Sequence, residues 1–228
     1  EHPNGGFFQI AGTTLHKITN PLDHPAEWEV RVGDFGIGHN DLGVHSAVYH
    51  QGDHVYLMGY KQLMGKKEMI LARINTVDLK KMRGGETVEY WVDGKDGPRW
   101  SRDPDNLVTL FTPGNTETGI QYVPEWDKYF VTTYDAEKPE IYLTWSDELT
   151  GPWADPVVVY RAPEHEMSDT GAISYAARLH PDISDFPGDL VITYAASQQG
   201  GVDKIFTKEG FYYYRPRFVN VIVEPAEE

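Results

Sequence analysis

A pattern that recurs three times constrains what this chain can fold into more than any other feature. A candidate strand leads to a short turn, then to an aromatic-rich strand carrying Tyr, then to a third strand. The first copy is VHSAVYHQGDHVYLMGY followed by KEMILARI. The second is GIQYVPEWDKYFVTTY followed by PEIYLTWS. The third is GAISYAARLHPDIS, an insertion, GDLVITYAAS, and then RPRFVNVIV. Tyr49, Tyr122 and Tyr175 fall in matching places, and so do Tyr60, Tyr134 and Tyr194. Apolar and polar residues alternate through most of these strands, as they do in half-buried strands.

Each copy reads as a small antiparallel sheet, with fourth strands at VEYWVDG and PVVVYR. Four-stranded units repeated at this spacing predict an all-β chain built as a β-propeller. A sandwich would show shorter, more even spacing without three matched Tyr pairs. Residues 44–100, 107–162 and 168–225 make three blades, and residues 5–35 supply part of a fourth. The chain is thus expected to be a single propeller domain over residues 1–228 that covers the C-terminal three to four blades. A partial ring leaves bare strand edges. A preceding N-terminal segment or a second chain is therefore expected to complete it.

The 13% aromatic content, with 22 Gly and 15 Pro, favours strands and tight connections over long helices. A net charge of −15 repels a phosphate backbone, so nucleic acid is not expected as a partner. With no Cys, the chain has no disulfides, thiolate zinc sites or cysteine nucleophiles. No apolar run approaches the ~18 residues of a membrane span, so membrane insertion is not expected. GxSxG, P-loop and GxGxxG signatures are missing, and the nine His show no HExxH or paired-ligand spacing. A metal or other cofactor is not required. A structural calcium on a propeller axis is compatible with the sequence.

The segment TWSDELTGPWADPVVVYR, from Thr144 to Arg161, reads physically as a hairpin turn plugged by Trp153. It also resembles the blade turn of five-bladed propeller glycosidases such as glycoside hydrolase families 43 and 117. The chain is more similar still to the uncharacterised-domain family 4185, some members of which are endo-D-arabinanases. The pieces that carry this resemblance include FFQIAGTTLHKITNPLDHPAEW, VYLMGY, EMILARI and VEYWVDGKDGPRW. They continue through TETGIQYVPEWDKYFVTTY, the GPWADP turn, ISYAARLHPDIS, GDLVITYAAS and YRPRFVNV. The resemblance implies a five-bladed propeller that acts on a polysaccharide, such as an arabinan, outside the cell or in its envelope.

In a propeller the innermost strand of each blade lines the central funnel. The residues that begin those strands here are near His45, Glu117 and Asp169. Glycoside hydrolysis needs one carboxyl group to protonate the leaving oxygen and another to activate water or attack the sugar. Glu117 stands directly before an apolar strand, where an inward carboxylate is costly without a task. Asp169 occupies the same position one blade later. These two are the expected catalytic pair, with an acid from an upstream blade as the alternative to Asp169. The plainer alternatives are a turn-capping Glu and an Asx-turn before Gly171. His45, His39 and His165 near the same end, and Arg215 after the run Phe211–Tyr214, are the expected substrate-binding residues. Arg215 and Arg217 can equally form an internal Arg–acid bridge.

Carbohydrate is thus the expected partner, and a glycoside hydrolase the expected activity. A non-catalytic glycan-binding propeller is the alternative, and a protein-interaction propeller without inward acids is a third.

Overall fold

A computed structural model describes residues 12–36, 41–135, 138–167, 171–183, 186, 188–198 and 205–224. Its strands are β1 (Thr14–Ile18), β2 (Val30–Asp34), β3 (Leu42–Gln51), β4 (His54–Leu63), β5 (Lys66–Asn75), β6 (Glu89–Val92) and β7 (Arg99–Ser101). They continue with β8 (Gly119–Val123), β9 (Lys128–Tyr134), β10 (Glu140–Ser146), β11 (Val157–Arg161), β12 (Ala172–Leu179), β13 (Asp189–Gln198) and β14 (Arg217–Ile222). The helices are short: α1 (Thr76–Lys80), α2 (Glu164–Met167) and α3 (Lys208–Tyr213). None is long and apolar enough to cross a membrane.

The strands form antiparallel sheets ordered β1-β2, β3-β4-β5-β6-β7, β8-β9-β10-β11 and β12-β13-β14. Among the described residues no sheet closes on itself. The protein is all-β, as the alternation in its sequence requires. Each of the three larger sheets begins with a strand carrying the first Tyr of a pair, and its neighbour carries the second. Tyr60, Tyr134 and Tyr194 are all buried. Tyr49 pairs across its hairpin with Tyr56 and Tyr122 with Tyr129, whereas Tyr175 faces Ala195. The third copy departs in having Ala195 rather than a Tyr opposite Tyr175, and a β-bulge interrupts β12 between Tyr175 and Arg178.

The chain falls into two compact units, residues 1–65 with 70–108, and residues 66–69 with 109–228. In the first, Val44, Leu57, Ile70, Ile74, Val88 and Tyr90 form the centre of the core. The β4–β5 hairpin turns through Met64 and Gly65, both at positive φ (50° and 80°). This is the twist that a two-residue hairpin demands. On β6 and β7, Trp91 and Trp100 pair across the ladder with centroids 5.1 Å apart, and Arg73 lies over Trp100 at 4.1 Å. These Trp residues serve packing.

In the second unit, Val123, Phe130, Tyr134, Ile141, Leu143, Leu179, Leu190 and Ile192 form the core. β9 is buried along nearly its whole length, which fits a strand flanked by β8 and β10 and covered on both faces. Its two buried threonines are satisfied: Thr132 Oγ1 donates to the Ala177 carbonyl at 2.9 Å and Thr133 Oγ1 to the Pro113 carbonyl at 3.0 Å. The Thr132 bond ties the first strand of one sheet, β12, to the β8–β9 hairpin of the other. Gly119 permits that approach. A Cβ there would lie 2.9 Å from the Leu179 backbone nitrogen, closer than real Cβ atoms come.

The GPWADP turn also sits in this unit. Trp153 packs on Phe111 with centroids 5.4 Å apart, and its Nε1 donates to the Leu149 carbonyl at 3.3 Å. Thr144 and Ser146 hydroxyls donate to the Ala154 and Pro152 carbonyls at 2.6 and 2.8 Å. The turn is an aromatic plug held by β10, as its sequence implies.

Candidate functional site

The residues before β8 fix the position of Glu117. Asn115 is buried, and its side-chain Nδ2 donates to the Tyr134 carbonyl at the end of β9. Its backbone N–H meets Met69 Sδ at 3.3 Å. Thr118 is fully buried. Between these two anchors Glu117 is half-buried, and extending the β8–β9 register places it opposite Tyr134.

Two tyrosine hydroxyls feel the Glu117 charge. Tyr134 is pushed up to about 12, first by burial and then by Glu117. Its hydroxyl oxygen accepts from the Ala176 backbone N–H and is hydrogen-bonded to the Thr116 hydroxyl, and both bonds partly oppose the rise. Tyr175 is also pushed up to about 12, first by burial, then by Tyr214, to which it is hydrogen-bonded, and then by Glu117. The β12 bulge creates this arrangement. Ala176 sits at φ 55°, a left-handed conformation uncommon for a residue with a Cβ, and its N–H meets Tyr134. Bulges of this kind re-aim side chains and recur beside functional sites.

The result is one carboxyl group among phenols from three segments: Tyr134 of β9, Tyr175 of β12 and Tyr214 beyond α3. Chemically this is a set of hydroxyl donors and acceptors around a single acid or base, suited to a polyol ligand. Its alkaline behaviour follows from the raised values. Folded Tyr134 and Tyr175 hold their protons to about pH 12, while unfolded Tyr releases them near pH 10. A raised folded value gives stability that is complete below the unfolded value and is lost as pH rises through the folded one. Unfolding free energy should thus fall between about pH 10 and 12. Tyr134→Phe should flatten that fall and delete one late phenolate from an ultraviolet absorbance titration.

A related pairing occurs in the first unit. Asp41, directly before β3, raises the buried Tyr60 of β4, although burial is the larger cause. Glu117 stands in the same relation to Tyr134. An acid just ahead of the first strand thus raises the pKa of the second Tyr in two sheets. Sequence reasoning passed over Asp41. His45 lies on β3 in the first unit, exposed, edge-on to Tyr60 with centroids 5.8 Å apart.

A second cluster surrounds Glu164, which begins α2 and is almost fully buried. Tyr194 on β13 and Arg217 on β14 stand directly opposite each other in the ladder. Both reach Glu164. The Tyr194 hydroxyl donates to Oε2 at 2.9 Å, and Arg217 Nε lies 3.2 Å from Oε1. The latter contact is an ion pair whose N–H axis misses the oxygen, so Nε makes no hydrogen bond among the described residues. Burial raises Tyr194 most, followed by hydrogen bonds with Tyr160 and Glu164. Outside this pair opens a cavity of about 410 Å³ lined by Tyr160, Pro163, Glu164, Tyr194, Tyr212, Arg215, Pro216, Arg217 and Phe218. The guanidinium carbons of Arg215 and Arg217 lie 5.0 and 5.2 Å from the Tyr212 ring centroid.

The expected site residues therefore separate. Glu117 joins the tyrosine cluster, Arg215 lines the cavity, and Arg217 forms the internal acid bridge. His165 follows Glu164 on α2. Burial lowers its pKa against the opposing pull of Glu164, and its buried Nε2 has no hydrogen-bond partner among the described residues. His39 and Asp169 lie outside the described residues. Among those that are described, no group of three or more His, Cys, Asp or Glu could hold a metal ion. Tyr134, Tyr175, Tyr214 and Glu164 were missed as site residues; the repeated Tyr positions were the available signal for the first two.

No curated protein matches the chain. A solved structure of a protein from Bacteroides ovatus ATCC 8483, provisionally named a hydrolase, is similar with a TM-score of 0.66 and 19% identity. The match covers 92% of this chain and 52% of that one, so the chain spans about half the length of this structural relative. At that identity the likeness concerns the fold. A family model described as a domain of unknown function, DUF5005, matches residues 3–223, nearly the full length. The chain belongs to the DUF5005 family.

Proposed function

We propose that the chain is the carbohydrate-acting part of a hydrolase, with Glu117 as its acid or base and a β-propeller as its architecture. The observation that carries this is the half-buried Glu117 carboxylate set against the Tyr134 and Tyr175 hydroxyls at a bulged strand. Three features support the propeller. Each of the larger sheets is a meander that starts on β3, β8 or β12 and adds the following strands in chain order. Thr132 bonds to Ala177 across two sheets. An acid precedes the first strand and raises the pKa of a buried Tyr in two of them. The structural relative named as a hydrolase is consistent with the activity.

In this proposal Asp169 supplies the second carboxylate. The Tyr hydroxyls, neutral at ordinary pH, hold sugar hydroxyls and orient the scissile bond. An arabinan or a related furanose polymer is the substrate proposed from the sequence resemblance, and an exported location goes with it. Nothing in the mechanism needs a metal ion.

The aromatic, Arg-bearing cavity at Tyr212 favours a second reading, a glycan-binding module without turnover. A glycan array combined with reducing-end release from the same polysaccharides separates the two. Release by the wild-type chain is expected. Binding throughout the panel with no release would establish the binding module instead.

A further inference from the structure

The cavity outside Glu164 has no part in the Glu117 chemistry: Glu117, Tyr134 and Tyr175 do not line it. Its volume of about 410 Å³ is at the lower end of the ~300–1,000 Å³ typical of small-molecule sites. Its charge is specific. Glu164 and Arg217 neutralise each other within the wall at 3.2 Å. Arg215 is exposed and stacks near Tyr212, and among the described residues it has no acidic partner. Among the described residues, this leaves one cation without an acidic partner at an aromatic cavity, in a chain of net charge −15. Phe218 is 67% exposed and Tyr212 45% exposed, so both offer ring surface at the cavity.

We propose that this cavity binds an acidic saccharide, a uronic acid unit whose carboxylate pairs with Arg215 and whose ring packs on Tyr212 and Phe218. A planar guanidinium matches a carboxylate in two parallel hydrogen bonds. Aromatic faces take the apolar face of a sugar ring, and the Tyr160 and Tyr212 hydroxyls serve its hydroxyl groups. A phosphate monoester fits less well. It carries about −1.5 to −2 charges, and the second guanidinium is already committed to Glu164. A neutral sugar leaves the Arg215 charge unused. The site goes beyond the hydrolase proposal and does not rest on it.

Calorimetric titration of the full chain tests this with short galacturonan, glucuronan and mannuronan fragments, their neutral counterparts and inorganic phosphate. At least one uronide should bind, with the neutral counterpart about tenfold weaker or more. Raising the salt concentration should weaken the uronide. Arg215→Gln, a surface change that leaves the fold intact, should weaken it about tenfold, and Glu117→Gln should leave it unchanged. The proposal is overturned if no uronide binds or if neutral fragments bind equally. Phosphate binding more tightly than the uronide, full affinity in Arg215→Gln, or loss of affinity in Glu117→Gln would overturn it as well.

Discussion

Glu117→Gln should reduce hydrolysis of the responsive polysaccharide by roughly 10²–10⁴-fold while leaving its binding nearly intact. The substitution keeps the size of the side chain and its hydrogen-bonding reach, and it removes only the ability to give up or take a proton. Tyr134 and Tyr175 would lose the negative charge that contributes to their raised values, so both should ionise at lower pH in the variant. That second effect belongs to the folded site and occurs whether or not the chain is an enzyme. It distinguishes a correct geometry with no turnover from an incorrect geometry. A fall in kcat with the Tyr titration moved down supports both the position and the role. A fall in kcat with the Tyr titration unmoved would mean that the variant acts elsewhere.

The second large effect concerns stability. Arg217→Ala should cost about 3–5 kcal/mol of unfolding free energy, because it strands the Glu164 carboxylate in a site that is 4% exposed. The Tyr194 hydroxyl still donates to it, but one hydrogen bond does not replace a counter-ion. The paired replacement of Glu164 and Arg217 by Leu and Met should cost far less, since exchange of a buried ion pair for apolar groups of similar volume is often neutral. Denaturant midpoints of the two variants check this directly. Equal losses would mean that the pair itself, rather than the unpaired charge, supplies the stability. Arg217 is a structural cation paired with Glu164, whereas Arg215 has no acidic partner among the described residues.

Much of the fold was visible in the sequence because its cause is local. The Tyr49–Tyr60, Tyr122–Tyr134 and Tyr175–Tyr194 spacings follow from hairpins, in which alternation directs one Tyr inward. Glu117 was visible for a similar reason: a carboxylate directly before an apolar strand has few inexpensive places to go. The rest depends on contacts between segments far apart in the chain. The β12 bulge is marked by Ala176, not by Gly, so no residue type announced that Tyr175 and an N–H would turn toward Tyr134. The Glu164 cluster requires Tyr194 and Arg217 to be in register, and that register is set by the whole β13–β14 ladder. The run Phe211–Tyr214 ends α3 just before the last strand, and this delivers Tyr212 to the cavity and Tyr214 to Tyr175. Arg215 and Arg217 looked alike in sequence. Only the pairing shows that they differ, one bound to an internal acid and one turned to the cavity.

In the proposed site, Glu117 and its tyrosines face the scissile bond of a saccharide. A crystal structure of the Glu117→Gln chain with an oligosaccharide from the hydrolysed polymer tests it most directly. A glycosidic oxygen or ring hydroxyl is expected within hydrogen-bond distance of the residue 117 amide, with further bonds to the Tyr134 and Tyr175 hydroxyls. A saccharide held only at the Tyr212 cavity, with nothing at residue 117, would contradict it.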